Sequence, residues 1–380
     1  MRWVLLLSLS ALAACAAPRP GGVDWFEYVA DRKAAGYLRT ETRPADAGYS
    51  AETLARNFAL AVLNPENSPL GRPLPAIGDA DRHVRRWSEP INFLVVADVD
   101  ARQEKMDARV DAFMGRLSAI TGHPSYKITR GKTPQSRQAN LIIFYGSQWF
   151  MLGVPGGLRR ALKADEDPDL QKFMDGFSRD FQAWRLAPSP CAGTIYSSYG
   201  DDETGPKGTI LSAFVYIRSE IPDDLLQTCI EEELSQTLGP IGDDDRIRPS
   251  LFNDDQEFAR LTEHDEQILK ILYDPMIRPG MEEEEALRLA LEIATRNGFA
   301  EASGRKEELD MVRIEVPKAA TGVTGALKED NLKLRVPVSA TPVLTEGEPR
   351  SPEPITLRAP QDKSGSEAFS VKHLEFDPEG

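Results

Sequence analysis

Histidine and cysteine are scarce, with four His and three Cys in 380 residues. This excludes zinc-finger arrays and disulfide-dense scaffolds, which need ligands or bridges at close, repeated spacing. Positive charge is in deficit: 45 Lys and Arg face 60 Asp and Glu, for a net charge of −15. Nucleic acid is excluded as the main partner, because neutralising phosphates takes clustered cations. After the first dozen residues no apolar run reaches a membrane-spanning length, which rules out a polytopic membrane protein. Walker loops, a Gly-x-Gly-x-x-Gly turn after a strand and the Gly-x-Ser-x-Gly elbow are missing, and no internal repeat is visible. What remains is 41% hydrophobic and 28% charged, enough for a packed core.

The N-terminus carries an address. Met1-Arg2-Trp3 is a short cationic start, and Val4 to Leu12 is apolar apart from Ser8 and Ser10. That run is too short to span a bilayer and ends in small residues, as secretory signals do. Leu12-Ala13-Ala14-Cys15 resembles the lipobox of bacterial lipoproteins. The resemblance implies a signal peptide over residues 1–14, a lipidated Cys15 and a tether over 15–48. It places the protein in the bacterial cell envelope, on the periplasmic side and anchored to a membrane. The alternative is an ordinary signal peptide cut after Ala14 or Ala17. Loss of residues 1–14 removes one cation, Arg2, and takes the net charge from −15 to −16. Cys191 and Cys229 then remain, and in an oxidising compartment two such thiols usually pair. Closing that loop stabilises the fold by about 4 kcal/mol in the chain-entropy view. Two buried free thiols are the alternative.

Periodicity predicts an α+β or α/β domain within 49–300. Ser50 suits an N-cap for a helix to about Leu63, and the four prolines of 64–81 mark a loop. Strands are expected at Pro90–Ala97, Asn140–Tyr145 and Gly208–Arg218, and helices at 101–121, 169–184, 222–239 and 262–274. Residues 23–48 and 149–168 show no clear period. From about Val316 proline recurs, so 301–380 is expected to be a Pro-rich, mostly disordered tail. The alternative is a small β-subdomain, since Lys333-Leu334-Arg335-Val336 and Ile355-Thr356-Leu357 alternate.

The helix expected at 222–239 is acidic. At 100° per residue, Leu226, Ile230, Leu234 and Leu238 form one stripe, widened by Leu225 and Cys229. Glu233 falls inside that stripe, Glu232 and Gln236 along its edge, and Glu231 and Ser235 on the far side, toward solvent. A carboxylate on an apolar face is protonated, hydrogen-bonded, ion-paired or metal-bound. Glu232 and Glu233 therefore either reach an Arg or backbone N–H groups, or form an acidic centre with Gln236. In the next helix Asp265 interrupts an apolar stripe in the same way. It either meets Glu233 or caps its own helix, since Thr262-x-x-Asp265 has capping-box spacing. His264 lies off the stripe, toward solvent or the core edge.

Three blocks then carry a resemblance: Cys229-Ile230-x-Glu232-Glu233-Leu234-x-Gln236-x-Leu238-Gly239, Arg248-Pro249-Ser250-Leu251-Phe252-Asn253-Asp254, and Leu261-Thr262-x-x-Asp265 continuing to Tyr273-Asp274-Pro275-x-x-Arg278-Pro279-Gly280-Met281. Over about 45–290 the chain resembles the bacterial secreted proteins grouped as domain of unknown function 2927. By its strand-then-acidic-helix layout that family is similar to zincin-like peptidases. A working zincin needs His-Glu-x-x-His on the helix. Carried over, the two His positions are Glu231 and Ser235, and only the base, Glu232, matches. The resemblance thus implies a degenerate zincin-like domain that binds a partner, such as an envelope protein or the cell wall. The alternative is a hydrolase of unusual ligation, with Glu232 as catalytic base and Glu233, Gln236, Asp265 or His264 around a divalent metal.

Overall fold

The computed structural model describes residues 23–63, 82–129, 139–161, 163–166, 168–186, 189–200, 205–253 and 255–299, with two short pieces at 357–358 and 375–376. The expectations for the signal peptide, Cys15, the first part of the tether, the 64–81 loop and nearly all of the tail lie outside these residues.

The sequence builds a mixed α+β unit. Its helices are α1 (Trp25–Ala34), α2 (Ala51–Leu63), α3 (Asp100–Thr121), α4 (Gln148–Ala161), α5 (Pro168–Leu186), α6 (Asp223–Gln236), α7 (Glu263–Leu272) and α8 (Glu283–Arg296). Its strands are β1 (Arg86–Trp87), β2 (Ile91–Ala97), β3 (Ser125–Lys127), β4 (Leu141–Gly146), β5 (Cys191–Ser197) and β6 (Thr209–Arg218). Five strands run parallel in the order β1-β6-β4-β2-β3, and β5 joins β6 antiparallel. β4 and β6 are buried at every position, as parallel strands covered on both faces must be, so they read as apolar runs rather than as alternation. Outside this unit Leu357–Arg358 pairs antiparallel with Glu375–Phe376 (β7 and β8).

Helices cover the sheet on both sides. One face packs α2, α3, α6, α7 and α8 over Phe93, Val95, Ile143, Val215 and Ile217. The other packs α4 and α5 over Leu94, Val96, Ile142, Phe144, Phe214 and Tyr216. Ser50 Oγ accepts from Thr53 N at 3.2 Å at the start of α2, as its residue type predicts. Gly122, with φ of 69°, ends α3 in the left-handed region that only glycine enters without cost. Among the described residues no helix is long and apolar enough to cross a membrane.

Four elements correct the sequence-based expectations. Part of the stretch expected to be tether is α1, which buries Trp25 and Val29. Residues 149–168 are largely helical despite Pro155 and three glycines. Strand β5 and helix α8 were not expected at all.

Candidate functional site

The site is built where α6 passes beneath the edge strand β5. Asp223 and Asp224 sit in the first turn of α6, at the positive end of its dipole. Lys105 Nζ and Arg109 Nη2 bind Asp223 at 2.6 and 3.3 Å, and Lys33 of α1 pairs with Asp224. Cys191 of β5 and Cys229 of α6 form a disulfide with a Cα–Cα separation of 5.9 Å, as the oxidising-compartment argument expects. One helical turn further, Glu233 lies under Gly193. A Cβ built on Gly193 would stand 2.8 Å from Glu233 Oε2, so the missing side chain is what lets the carboxylate approach the strand.

Glu231 departs from expectation. The helical wheel turns it toward solvent, yet it is only 5% exposed. Its Oε2 accepts from Leu261 N at 2.8 Å and its Oε1 from Gln227 Nε2 at 3.0 Å. Arg116 Nη1 of α3 and Arg260 Nε stand at 3.6 and 3.7 Å. Ser235, also expected outside, is fully buried. The cause is a second wall: α3 and the 259–261 segment close over the side of α6 that faces away from the sheet. A buried carboxylate survives there because donors and guanidinium groups surround it.

Glu232 is half-buried and leans toward α1. Burial holds the Tyr28 phenol above its ordinary pKa, Arg32 pulls it down, and Glu232 pushes it up. Tyr28 Oη donates to Gln256 Oε1 at 2.5 Å. Gln236 Nε2 donates to Asp243 Oδ1 at 2.8 Å, drawing that amide into the loop after α6.

Asp265 makes a separate knot. With Thr262 it completes a capping box: Asp265 N donates to Thr262 Oγ1 at 3.2 Å, and Thr262 N to Asp265 Oδ2 at 2.9 Å. Leu251 N also donates to Oδ2 at 2.9 Å, and Ser250 Oγ to Oδ1 at 2.5 Å. Of the two readings left open by the sequence, the geometry realises capping, extended to clamp the 250–251 turn. His264 corrects the expectation of a solvated or edge position, since it is fully buried. Its Nε2 lies 3.0 Å from Asn57 Nδ2, its ring stands edge-on to Tyr49 at 4.7 Å, and Nδ1 is 3.6 Å from Asp265 Oδ1. Burial, with Glu263 and Asp265 adding to it, pushes the Tyr49 phenol up to about 12. Among the described residues no three His, Cys, Asp or Glu side chains gather as metal ligands. Glu232, Glu233 and Gln236 line one stretch of α6, whereas His264 and Asp265 belong to the capping knot of α7.

Sequence reasoning missed Gly193, Tyr28, Arg116 and Arg260. Nothing in Cys-Ala-Gly-Thr announces a strand, and the two arginines reach Glu231 from positions far away in the chain.

No curated protein and no solved structure matches the chain. Residues 51–291 match the family described as "Protein of unknown function (DUF2927)". That span takes in α2 through most of α8, so it contains the sheet, the β5–α6 seam and the capping knot, and the three sequence blocks that carried the resemblance fall within it. The chain belongs to the DUF2927 family.

Proposed function

We propose that this chain is a lipid-anchored protein of the bacterial cell envelope, held to a membrane through Cys15 and facing the periplasm, whose zincin-like domain has become a non-catalytic interaction module. Its partner is another envelope protein or the cell wall. The observation that carries this reading is the fate of the two positions that resemblance assigns to metal-binding imidazoles. Glu231 is closed in by Leu261 N–H, Gln227 and two arginines, and Ser235 is sealed in the core. Both are committed to packing α6 against its surroundings. The Cys191–Cys229 bridge supports an oxidising compartment.

The experiment has two arms. Metabolic labelling with a radiolabelled fatty acid should mark the chain and fail to mark Cys15→Ser; equal labelling would overturn the anchor. Metal content of the folded chain, purified without chelator, should be far below stoichiometric and the same in Glu232→Gln. Near-stoichiometric metal that Glu232→Gln loses would instead establish the hydrolase alternative with Glu232 as base.

A further inference from the structure

We infer that the outward face of α3 pairs with α3 of a second copy of this chain, parallel and about a two-fold axis, with Glu104 and Asp111 of each copy facing Arg109 and Arg116 of the other. The inference goes beyond the interaction-module reading and does not depend on it.

The fold uses only one side of α3. The helix runs for 22 residues, about 33 Å, and packs inward through Met106, Val110, Phe113, Met114 and Leu117. At 100° per residue the remaining surface divides into three strips. The middle strip holds Ala101, Lys105, Ala108, Ala112, Gly115 and Ala119, and all six are exposed. Their spacing alternates four and three, which is the spacing of a coiled-coil seam. Arg102, Arg109 and Arg116 follow one side of this seam at intervals of seven. Glu104 and Asp111 follow the other side, also seven apart.

Charge picks the occupant and its direction. In a parallel pair a residue on the acidic side of one seam stands beside the basic side of the other, five residues further on. Glu104 then meets Arg109, Asp111 meets Arg116, and the two-fold axis makes each pair twice. An antiparallel pair would set arginine against arginine and carboxylate against carboxylate. One chain thus carries both halves of its own complement, so the occupant is a second copy. The groups have capacity to spare. Glu104 and Asp111 are exposed and have no hydrogen bond or ion pair among the described residues. Arg109 holds Asp223 through Nη2 at 3.3 Å, whereas Lys105 binds the same carboxylate at 2.6 Å. Arg109 Nη1 has no hydrogen-bonding partner among the described residues. Arg116 is more committed, with Nη2 on Glu266 at 2.9 Å, so the Glu104–Arg109 pair carries more of the selection. Lys105, drawn to Asp223, leaves the seam to small side chains that let two helices approach closely. A cavity of about 390 Å³ opens on the arginine side, between α3 and α6, lined by Ala108, Arg109, Ala112, Phe113, Arg116 and Gln227. It gives the second copy's acidic side chains room beside the guanidinium groups.

The test uses the full chain. Ala108→Cys and Ala119→Cys, made separately, should each cross-link to their own counterpart on mild oxidation, giving a band at twice the 42.0 kDa of one chain on a non-reducing gel. In a parallel pair every seam residue meets its own copy. An antiparallel pair can bring only one of these two positions, about 16 Å apart along the helix, onto its axis. Sedimentation velocity over a concentration series then reads the charge. Glu104→Arg, and separately Arg109→Glu, should weaken self-association about tenfold or more. An equimolar mixture of the two variants should associate again, because each chain supplies the charge that the other lacks. Cross-linking at one position or at neither would overturn the parallel pair. A mixture of two folded variants that stays monomeric would overturn the charge register. If Arg109→Glu folds poorly, Glu104→Arg decides alone, since Glu104 holds nothing within its own chain, and undiminished association of that variant would overturn the register. A chain that is monomeric at every concentration would overturn the inference as a whole.

Discussion

The two faces of the sheet solve burial differently. Under α4 and α5 the packing is aromatic: Phe144, Phe177, Phe181, Trp184, Phe214 and Tyr216 contact one another, with ring centroids mostly 5–6 Å apart. The opposite face is mostly aliphatic, and it also encloses Glu231, His264, Asp265 and Asn57, each with polar neighbours. The aromatic face holds mainly by area and shape, with one buried cation, Arg218, whose guanidinium lies over Trp184 and donates to the carbonyls of Trp184, Arg185 and Ser189. The other holds only if a set of hydrogen bonds is complete, because a buried polar group that loses its partner costs more than the bond contributed.

Substitutions can break or sharpen this contrast. Asp265→Ala strands three buried donors, Ser250 Oγ, Leu251 N and Thr262 N, and should cost about 5 kcal/mol in a denaturant titration. A loss near 1 kcal/mol would mean that the knot tolerates disconnection and the contrast is overstated. Replacing Cys191 and Cys229 together by Ala should cost about 4 kcal/mol, read as a lower unfolding midpoint that reducing agent no longer shifts. Phe181→Ala on the aromatic face should cost about 3 kcal/mol and respond little to ionic strength, since no charge is involved. Within α6, Glu231→Gln should cost about 2 kcal/mol, whereas Glu232→Gln should stay within about 0.5 kcal/mol. Equal effects would erase the distinction between the buried and the half-buried glutamate.

A further small effect is pH-dependent. Hydrogen bonding to Arg248, ahead of Arg39, holds the Glu257 carboxyl below its usual value of 4.5. A depressed carboxyl contributes stability that is full above its unfolded pKa and is lost as pH falls toward the folded one. Thermal melts should therefore show the cost of Glu257→Gln, up to about 1 kcal/mol at neutral pH, fading as pH falls below about 4.5. A cost that stays constant down to acid pH would refute the ion-pair origin.

Much of this architecture was legible because burial imposes period. Met106, Val110, Phe113 and Leu117 announce α3, and the apolar runs at 91–97, 141–146 and 209–218 announce the central strands. The failures have physical causes. α1 buries only Trp25 and Val29, too few to set a period. α4 carries Gly153, Pro155, Gly156 and Gly157, whose helix-breaking tendencies tertiary packing overrides. β5 is an edge strand with a glycine at its third position, so it never alternates. α8 did carry its signal, Ala286, Leu289, Ala290 and Ile293 behind an acidic first turn, and was overlooked. For the site, one wheel against one sheet placed Glu233 and misplaced Glu231, because a helix walled on two sides has no solvent face. Capping-box spacing did identify Asp265, since that motif is local and needs no knowledge of the fold.

The placement of α1 has a mechanical consequence. A chain held by its N-terminus transmits any pull into α1 before anything else. That helix is fastened by Trp25 and Val29, by Tyr28 to Gln256, by Lys33 to Asp224, and by the short bridge of Arg39 to Phe258 behind it. These few contacts are far weaker than the ladder of β2, β4 and β6. Under load α1 would peel away first, like the hem of a cloth, and the sheet with its disulfide would keep its shape. If the proposed anchor at Cys15 holds the chain, such a pull would reach Tyr28 and its neighbours beside Glu232 through one ten-residue helix before it reached the sheet.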